Sequence, residues 1–282
     1  MVLWCAVLAA VLVGCRDGSS DPGVSEGAAT GSVQATAVWV TERVDVGGHE
    51  LNLLRRGTGS PTIVFENGLG GNLGPWFQTG VANGFSSVRT CAYDRVNTGA
   101  SDRDPGRHTG EDSVRDLHTL LHVAAVPAPY LLVGHSFGGL LAVMYAGTHP
   151  AEVAGLVLLD PSLPTQAELF DLLPKRERAA EMADLEKNRE NVDFFDTLEQ
   201  AKALLPRVPD IPVLVLGATN LDDIPPPGPT EGFLAARKKA LQEFTAALSR
   251  GELRYVASGH AIHSAEPKLV INEIQRVLEG VR

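Results

Sequence analysis

From residue 38 onward, short apolar runs bounded by turn residues alternate with stretches in which apolar residues recur every three or four positions. The first pattern predicts strands and the second helices, because side chains alternate across a strand and return to one helix face about every 3.6 residues. Residues 43–46 and 51–54, joined by Gly47 and Gly48, read as an antiparallel hairpin. Further strands are predicted at 62–66, 88–93, 130–133, 153–159, 211–216 and 252–256, with helices at 75–83, 112–123, 140–149 and 267–278. This alternation calls for an α/β protein: a mostly parallel, doubly wound sheet covered on both faces. Between 161 and 209 no strand pattern occurs, and three helical stretches, 165–173, 174–188 and 192–205, fill the gap. An insertion of that size between two sheet strands reads as a helical lid over the carboxyl edge, where open α/β sheets bind ligands.

One strand ends abruptly. The run 130–139 passes from apolar residues into Gly134, Ser136 and Gly138, a G-x-S-x-G pattern, and a helical stretch follows without a gap. That is the strand–turn–helix context of a nucleophile elbow. The turn is so tight that side chains two residues either side of the serine would collide, so glycine stands at both places. The serine takes a strained backbone conformation and its hydroxyl stands clear of the sheet.

A serine hydroxyl is a weak nucleophile until a base takes its proton, and that base needs a third group to orient it. Eight histidines compete for the role. His135 adjoins the serine, but neighbouring side chains point apart in such a turn, which predicts a structural role. His49, His108, His118, His122 and His149 fall in hairpin, loop or helix positions with no common edge. His260 follows a strand in Ser258-Gly259-His260, with Pro267 opening the last helix, and His263 lies three residues on.

Charge and composition narrow the function. An excess of 34 Asp and Glu over 24 Lys and Arg gives a net charge of −10, which argues against nucleic acid or an anionic membrane surface as a partner. The densest basic clusters, 175–178 and 237–239, fall in helical patterns and read as solvated faces. There is no Cys/His cluster at zinc spacing, no dinucleotide fingerprint and no P-loop, so neither a metal nor an organic cofactor is expected. Of three cysteines, only Cys91 lies beyond the N-terminal segment, in a strand pattern that predicts burial.

Residues 2–13 form an apolar run of signal-peptide length with no basic residue before it. It ends Leu12-Val13-Gly14-Cys15, which resembles a bacterial lipobox. The expected organisation is a signal peptide at 1–14, then Cys15 as a lipidated residue opening a Gly-, Ser- and Ala-rich tether over 15–37, then a folded domain over 38–282. The expected location is the outer face of a bacterial membrane, held as a lipoprotein through the lipid on Cys15 alone.

Several segments carry a family likeness in chain order: Glu66-Asn67-Gly68-Leu69-Gly70-Gly71, Tyr93-Asp94-Arg95, the elbow, Leu158-Leu159-Asp160-Pro161 and Ser258-Gly259-His260. The whole order, from about residue 38 on, resembles the α/β-hydrolase family. The resemblance implies Ser136 as nucleophile and His260 as base, with His263 in reserve. It implies an acid after either of two strands. Asp160 fills the earlier slot. In the later slot Asn220 stands where an aspartate is common, and an amide cannot offset an imidazolium charge, so Asp222 or Asp223 is the reserve. The backbone N–H groups of Phe137 and Leu69 are implied as oxyanion donors. Arg95 and Asn97 are implied either at the pocket border or as loop-stabilising donors.

A serine nucleophile sets aside the family's aspartate-dependent dehalogenase and epoxide hydrolase branches. It implies cleavage of a small carboxylic ester through an acyl-enzyme, with aminopeptidase, lactonase or C–C hydrolase action as alternatives and a non-catalytic binding homologue as the outlying reading. The lipobox reading makes its own prediction: Cys15→Ala is expected to move the protein from the membrane to the soluble fraction. Its recovery in membranes at wild-type levels would sink the lipoprotein assignment.

Overall fold

In the computed structural model, the described residues are 38–220 and 230–282. The expected signal segment, Cys15 and the tether lie outside them, as do Asp222 and Asp223. Among the described residues, eight strands form one sheet: β1 Val40–Asp45, β2 Glu50–Arg56, β3 Thr62–Glu66, β4 Thr90–Asp94, β5 Tyr130–His135, β6 Val153–Leu159, β7 Pro212–Ala218 and β8 Arg250–Val256. Their order across the sheet is β1-β2-β4-β3-β5-β6-β7-β8. The hairpin β1–β2 pairs antiparallel to β4 at one edge, and every pairing from β4 to β8 is parallel. The expected α/β class is therefore observed. The edge strands run past their apolar cores because ladder pairing continues through polar residues whose side chains face water.

Helices cover both faces. α1 Gly74–Gln78 precedes β4, α2 Gly110–Val123 precedes β5, and α3 Phe137–Thr148 follows it. Alternate residues of β5 serve the two layers: Tyr130 and Leu132 pack with α2 and α3, whereas Leu131 and Val133 pack with Trp76 of α1. The helix expected over 75–83 is shorter than its pattern. Gly80 adopts φ 77°, which ends α1, and a 3₁₀ turn over Val81–Gly84 carries the remaining apolar residues into the core.

The strandless insertion is helical: α4 Gln166–Phe170, α5 Lys175–Glu186 and α6 Phe194–Leu204. Its members behave differently. α5 buries none of its residues. α6 packs on α2 and α3, and Gly147 allows the approach, since a Cβ there would sit 2.7 Å from the Leu204 carbonyl. After β7 come α7 Glu231–Ala246, β8, the short α8 Ile262–Ala265 and α9 Pro267–Gly280. α9 lays Val270 and Ile274 on the Trp76 face of the sheet.

The winding reverses at β3: the chain passes from β3 to β4 on one side, then crosses to β5 on the other, a switch point of the kind at whose carboxyl edge open α/β sheets bind ligands. A buried ion cluster holds that edge. Arg95, 3% exposed, donates through Nε and Nη2 to Glu190 at 2.7 Å each and through Nη1 to Glu66 at 2.8 Å. Its two remaining N–H groups reach the Asn67 and Gly68 carbonyls, each at 2.8 Å. Tyr93 donates its hydroxyl to Glu66, and the Gly70 amide donates to Glu190. Burial pushes the Glu66 carboxyl above its ordinary value, against the pull of Arg95.

Removing one partner of a buried charge cluster strands the others in a medium that cannot solvate them. Arg95→Met is expected to cost about 3–5 kcal/mol in urea or guanidinium unfolding. A cost indistinguishable from an exposed Arg→Met control would mean the cluster is not holding the edge.

Candidate active site

Ser136 sits between β5 and α3 at φ 54° and ψ −123°. Positive φ is costly for any residue with a Cβ, on the order of 1–3 kcal/mol, and persists only where neighbours over-determine it. Here they do. The Ser136 amide donates to the Leu159 carbonyl at 3.0 Å, and the Ser136 carbonyl accepts from Ser162 at 3.0 Å and Gly139 at 2.9 Å. The flanking glycines are sterically required. A Cβ on Gly134 would stand 2.4 Å from the Gly138 carbonyl oxygen, and one on Gly138 would stand 2.5 Å from that of Asn67.

The turn after β3 passes directly against the serine. A Cβ on Gly68 would lie 3.5 Å from Ser136 Cβ and 3.1 Å from His135 Nδ1. Leu69, expected as an oxyanion donor, follows in this turn, which the Arg95 cluster fixes through its carbonyls. Phe137, the other expected donor, is the first residue of α3 and is fully buried, with the Arg95 guanidinium 5.6 Å from its ring centre.

Of the two histidines left in contention, the structure pairs His260 with a carboxylate. His260 Nδ1 and Asp160 Oδ2 are 2.7 Å apart. A carboxylate facing Nδ1 favours the tautomer with the proton there, so Nε2 becomes the basic nitrogen. The His260 ring lies 4.6 Å from that of His135, whose Nε2 donates to the His260 carbonyl at 3.0 Å. His135 thus anchors the loop carrying His260, in keeping with a structural role. His263 is buried between Trp76 and His135, at 4.6 Å from each ring, with Nδ1 lacking a hydrogen-bond partner among the described residues. Burial, aided by His260, pushes its pKa down to about 4.

Asp160 closes β6 at φ 45° and is buried. Its amide donates to the Leu216 carbonyl at 2.7 Å, and its Oδ1 accepts from the Ala218 amide at 3.0 Å and from Arg237 Nη2. Burial alone would push this carboxyl up; the His260 hydrogen bond and the Arg237 charge outweigh it and hold the group below the usual aspartate range. In the later slot, Asn220 donates its amide to the Ser258 carbonyl at 3.0 Å.

Three sequence expectations need correction or refinement. Arg237 does not lie on a solvated face. Lys238 and Lys239 are exposed, but the Arg237 side chain is 18% exposed and turned inward, also donating to the Ala218 carbonyl at 3.0 Å. The signal was present: Phe233, Arg237 and Leu241 stand four residues apart on one stripe of α7, and both apolar members are buried. His118, His122 and His149, read as sharing no edge, stack together at the far end of the sheet. Arg95 and Asn97 are loop-stabilising, Asn97 donating to the Asp104 and Glu190 carbonyls at 2.8 and 3.0 Å. Glu190, the carboxylate that completes the Arg95 cluster, had no sequence signature.

Known proteins resemble this chain in sequence and in fold. The profile of a family described as alpha/beta hydrolase fold matches residues 61–220. An uncharacterized protein of Bacillus subtilis (strain 168), YqjL, is 29% identical over 219 residues, covering 77% of this chain and 83% of the relative. Among solved structures, the enol-lactonase from Burkholderia xenovorans LB400 superposes with a TM-score of 0.60 at 19% identity, over 84% of this chain and all of the other. A membrane phospholipase A, described as a bacterial virulence factor, gives a TM-score of 0.63 at 18% identity, over 86% of this chain and 87% of the other.

The Arg237 contact has a pH signature. Because the folded pKa of Asp160 is depressed, the stability it contributes is full above the unfolded aspartate value of about 3.9 and is lost as pH falls through the lower folded value. Arg237→Ala removes part of that contribution. The variant is expected to be less stable than wild type by about 2 kcal/mol at pH 7, the gap shrinking as pH drops below about 3.9. Urea unfolding at several pH values checks this, and a gap constant with pH would mean that Arg237 contributes packing rather than charge.

Proposed function

The chain belongs to the alpha/beta hydrolase fold family, and from that premise we propose that it is a serine hydrolase that cleaves carboxylic esters through an acyl-enzyme. The observation that carries this reading is the Asp160–His260 pair, 2.7 Å apart, with the His260 loop tied through its carbonyl to His135, the residue before Ser136.

His260 Nε2 takes the Ser136 proton as Oγ attacks the ester carbonyl carbon. The carbonyl π pair moves to oxygen, and the oxyanion is met by the amides of Phe137 and Leu69. Collapse breaks the bond to the alcohol oxygen, which leaves with the proton from His260. Water then enters, gives a proton to His260 and attacks the acyl carbon. The acid departs and Ser136 recovers its proton. Throughout, buried Asp160 holds the imidazole and offsets the positive charge it carries between transfers.

The positive-φ serine and the glycine turn packed against it support the nucleophile and the oxyanion pocket respectively. The names of the structural neighbours, a phospholipase A and an enol-lactonase, support an open-chain or cyclic ester carbonyl as the electrophile. No residue in this scheme requires a metal or an organic cofactor.

The test is hydrolysis of p-nitrophenyl esters of short and long acyl chains, beside lactone and anilide substrates. Wild type is expected to turn over at least one ester, with Ser136→Ala and His260→Ala lowering kcat by about 10⁴ or more and Asp160→Asn by about 10⁴. Labelling of Ser136 by a fluorophosphonate without ester turnover would move the substrate to an amide, lactone or C–C bond. Absence of both labelling and turnover would overturn the enzyme reading altogether.

A further inference from the structure

A second constellation lies at the opposite end of the sheet. β5 and β6 run parallel, Tyr130 beside Val153 at their amino ends, and Ser136 follows β5 at its carboxyl end. Glu152 immediately precedes β6, so about six strand residues, or roughly 20 Å, separate it from the serine along the sheet. Against Glu152 lie His118 and His122 from the last turns of α2, four residues apart on one helix face. His149, closing α3, stacks on His118 with ring centres 3.8 Å apart and planes parallel.

His118 Nδ1 is 3.4 Å from Glu152 Oε2, and His122 Nε2 is 3.1 Å from Oε1. Among the described residues, His118, His122 and Glu152 each offer a donor atom, all within 4.8 Å of one another. An ion held tetrahedrally at about 2.0–2.1 Å by nitrogen and oxygen ligands places neighbouring ligand atoms about 3.4 Å apart. The side chains already stand near that spacing, so binding needs small rotations and no refolding.

The surroundings are those of a ligand set as well. Metal-bound carboxylates usually accept further hydrogen bonds that orient them. Tyr145 supplies one, its hydroxyl donating to Glu152 Oε2 at 2.6 Å. His122 is 56% exposed, which leaves the cluster open to solvent.

We propose that His118, His122 and Glu152 bind a divalent transition-metal ion of the zinc type, with solvent completing the shell. Two imidazoles and one carboxylate suit Zn²⁺, whereas Mg²⁺ and Ca²⁺ prefer all-oxygen sets. The ion ties the end of α2 to the start of β6 and stabilises the fold at a distance from the ester chemistry. The sequence carries only half of a zinc pattern, the His118–His122 pair, because the third ligand comes from another element thirty residues on from His122.

The experiment is calorimetric titration of Zn²⁺ into untagged, chelator-washed protein, with thermal melts run alongside. Wild type is expected to bind one ion per chain and to melt higher with zinc. His118→Ala/His122→Ala is expected to lose both effects, and Glu152→Gln to bind at least about tenfold more weakly, the lower bound seen even for outer-shell partners. Circular dichroism checks that each variant folds; if the double variant does not, His122→Ala alone, at a largely exposed position, supplies the same comparison. Absence of zinc binding to wild type overturns the proposal. So does binding that is undiminished without these histidines, which would place the ion elsewhere on the chain.

Discussion

The carboxyl edge of the sheet depends on one guanidinium. An arginine has five N–H donors in a fixed plane, and Arg95 places all five: three on Glu66 and Glu190, two on the Asn67 and Gly68 carbonyls. Those contacts join the end of β3, the turn after it, the loop after β4 and the segment between α5 and α6. In a water-poor interior each bond is strong and each vacancy is costly, so the arrangement is close to all-or-none. The turn that lies on Ser136 therefore inherits its position from a charge cluster that touches no substrate in the proposed scheme.

Some of the backbone strain sits at the proposed chemistry. Ser136 and Asp160, both non-glycine residues at positive φ, end adjacent parallel strands. Each amide donates to the last turn of a neighbouring strand, Ser136 to Leu159 and Asp160 to Leu216. The sheet register thus sets the distance between the proposed nucleophile and acid, and the buried strands behind them absorb the cost of the unfavourable backbone.

Asp160 serves two partners. One oxygen faces His260 and the other faces Arg237 and the Ala218 amide. The His260 hydrogen bond, the Arg237 charge and the Ala218 amide together hold the carboxyl below its usual range despite its burial. They also fix both oxygens, so the imidazole meets an acceptor that cannot rotate away. Arg237 is in this sense a positioning residue acting through the acid.

Local pattern was enough for the sheet, its alternating helices and the elbow at Ser136, because strand period, helix period and a glycine-framed turn are all written within a few consecutive residues. It also placed His260 and Asp160 at strand ends, and there it stopped. Whether Asp160 or a residue near Asn220 faces the imidazole depends on how two neighbouring strands end relative to a loop a hundred residues away. The inward turn of Arg237, the role of Glu190 and the gathering of His118, His122 and Glu152 are likewise set by packing between distant elements. A charged residue on an otherwise polar stretch looks the same in sequence whether it meets water or a buried partner. Only the tertiary structure brings the partner, and the physical difference is that burial makes the pairing obligatory.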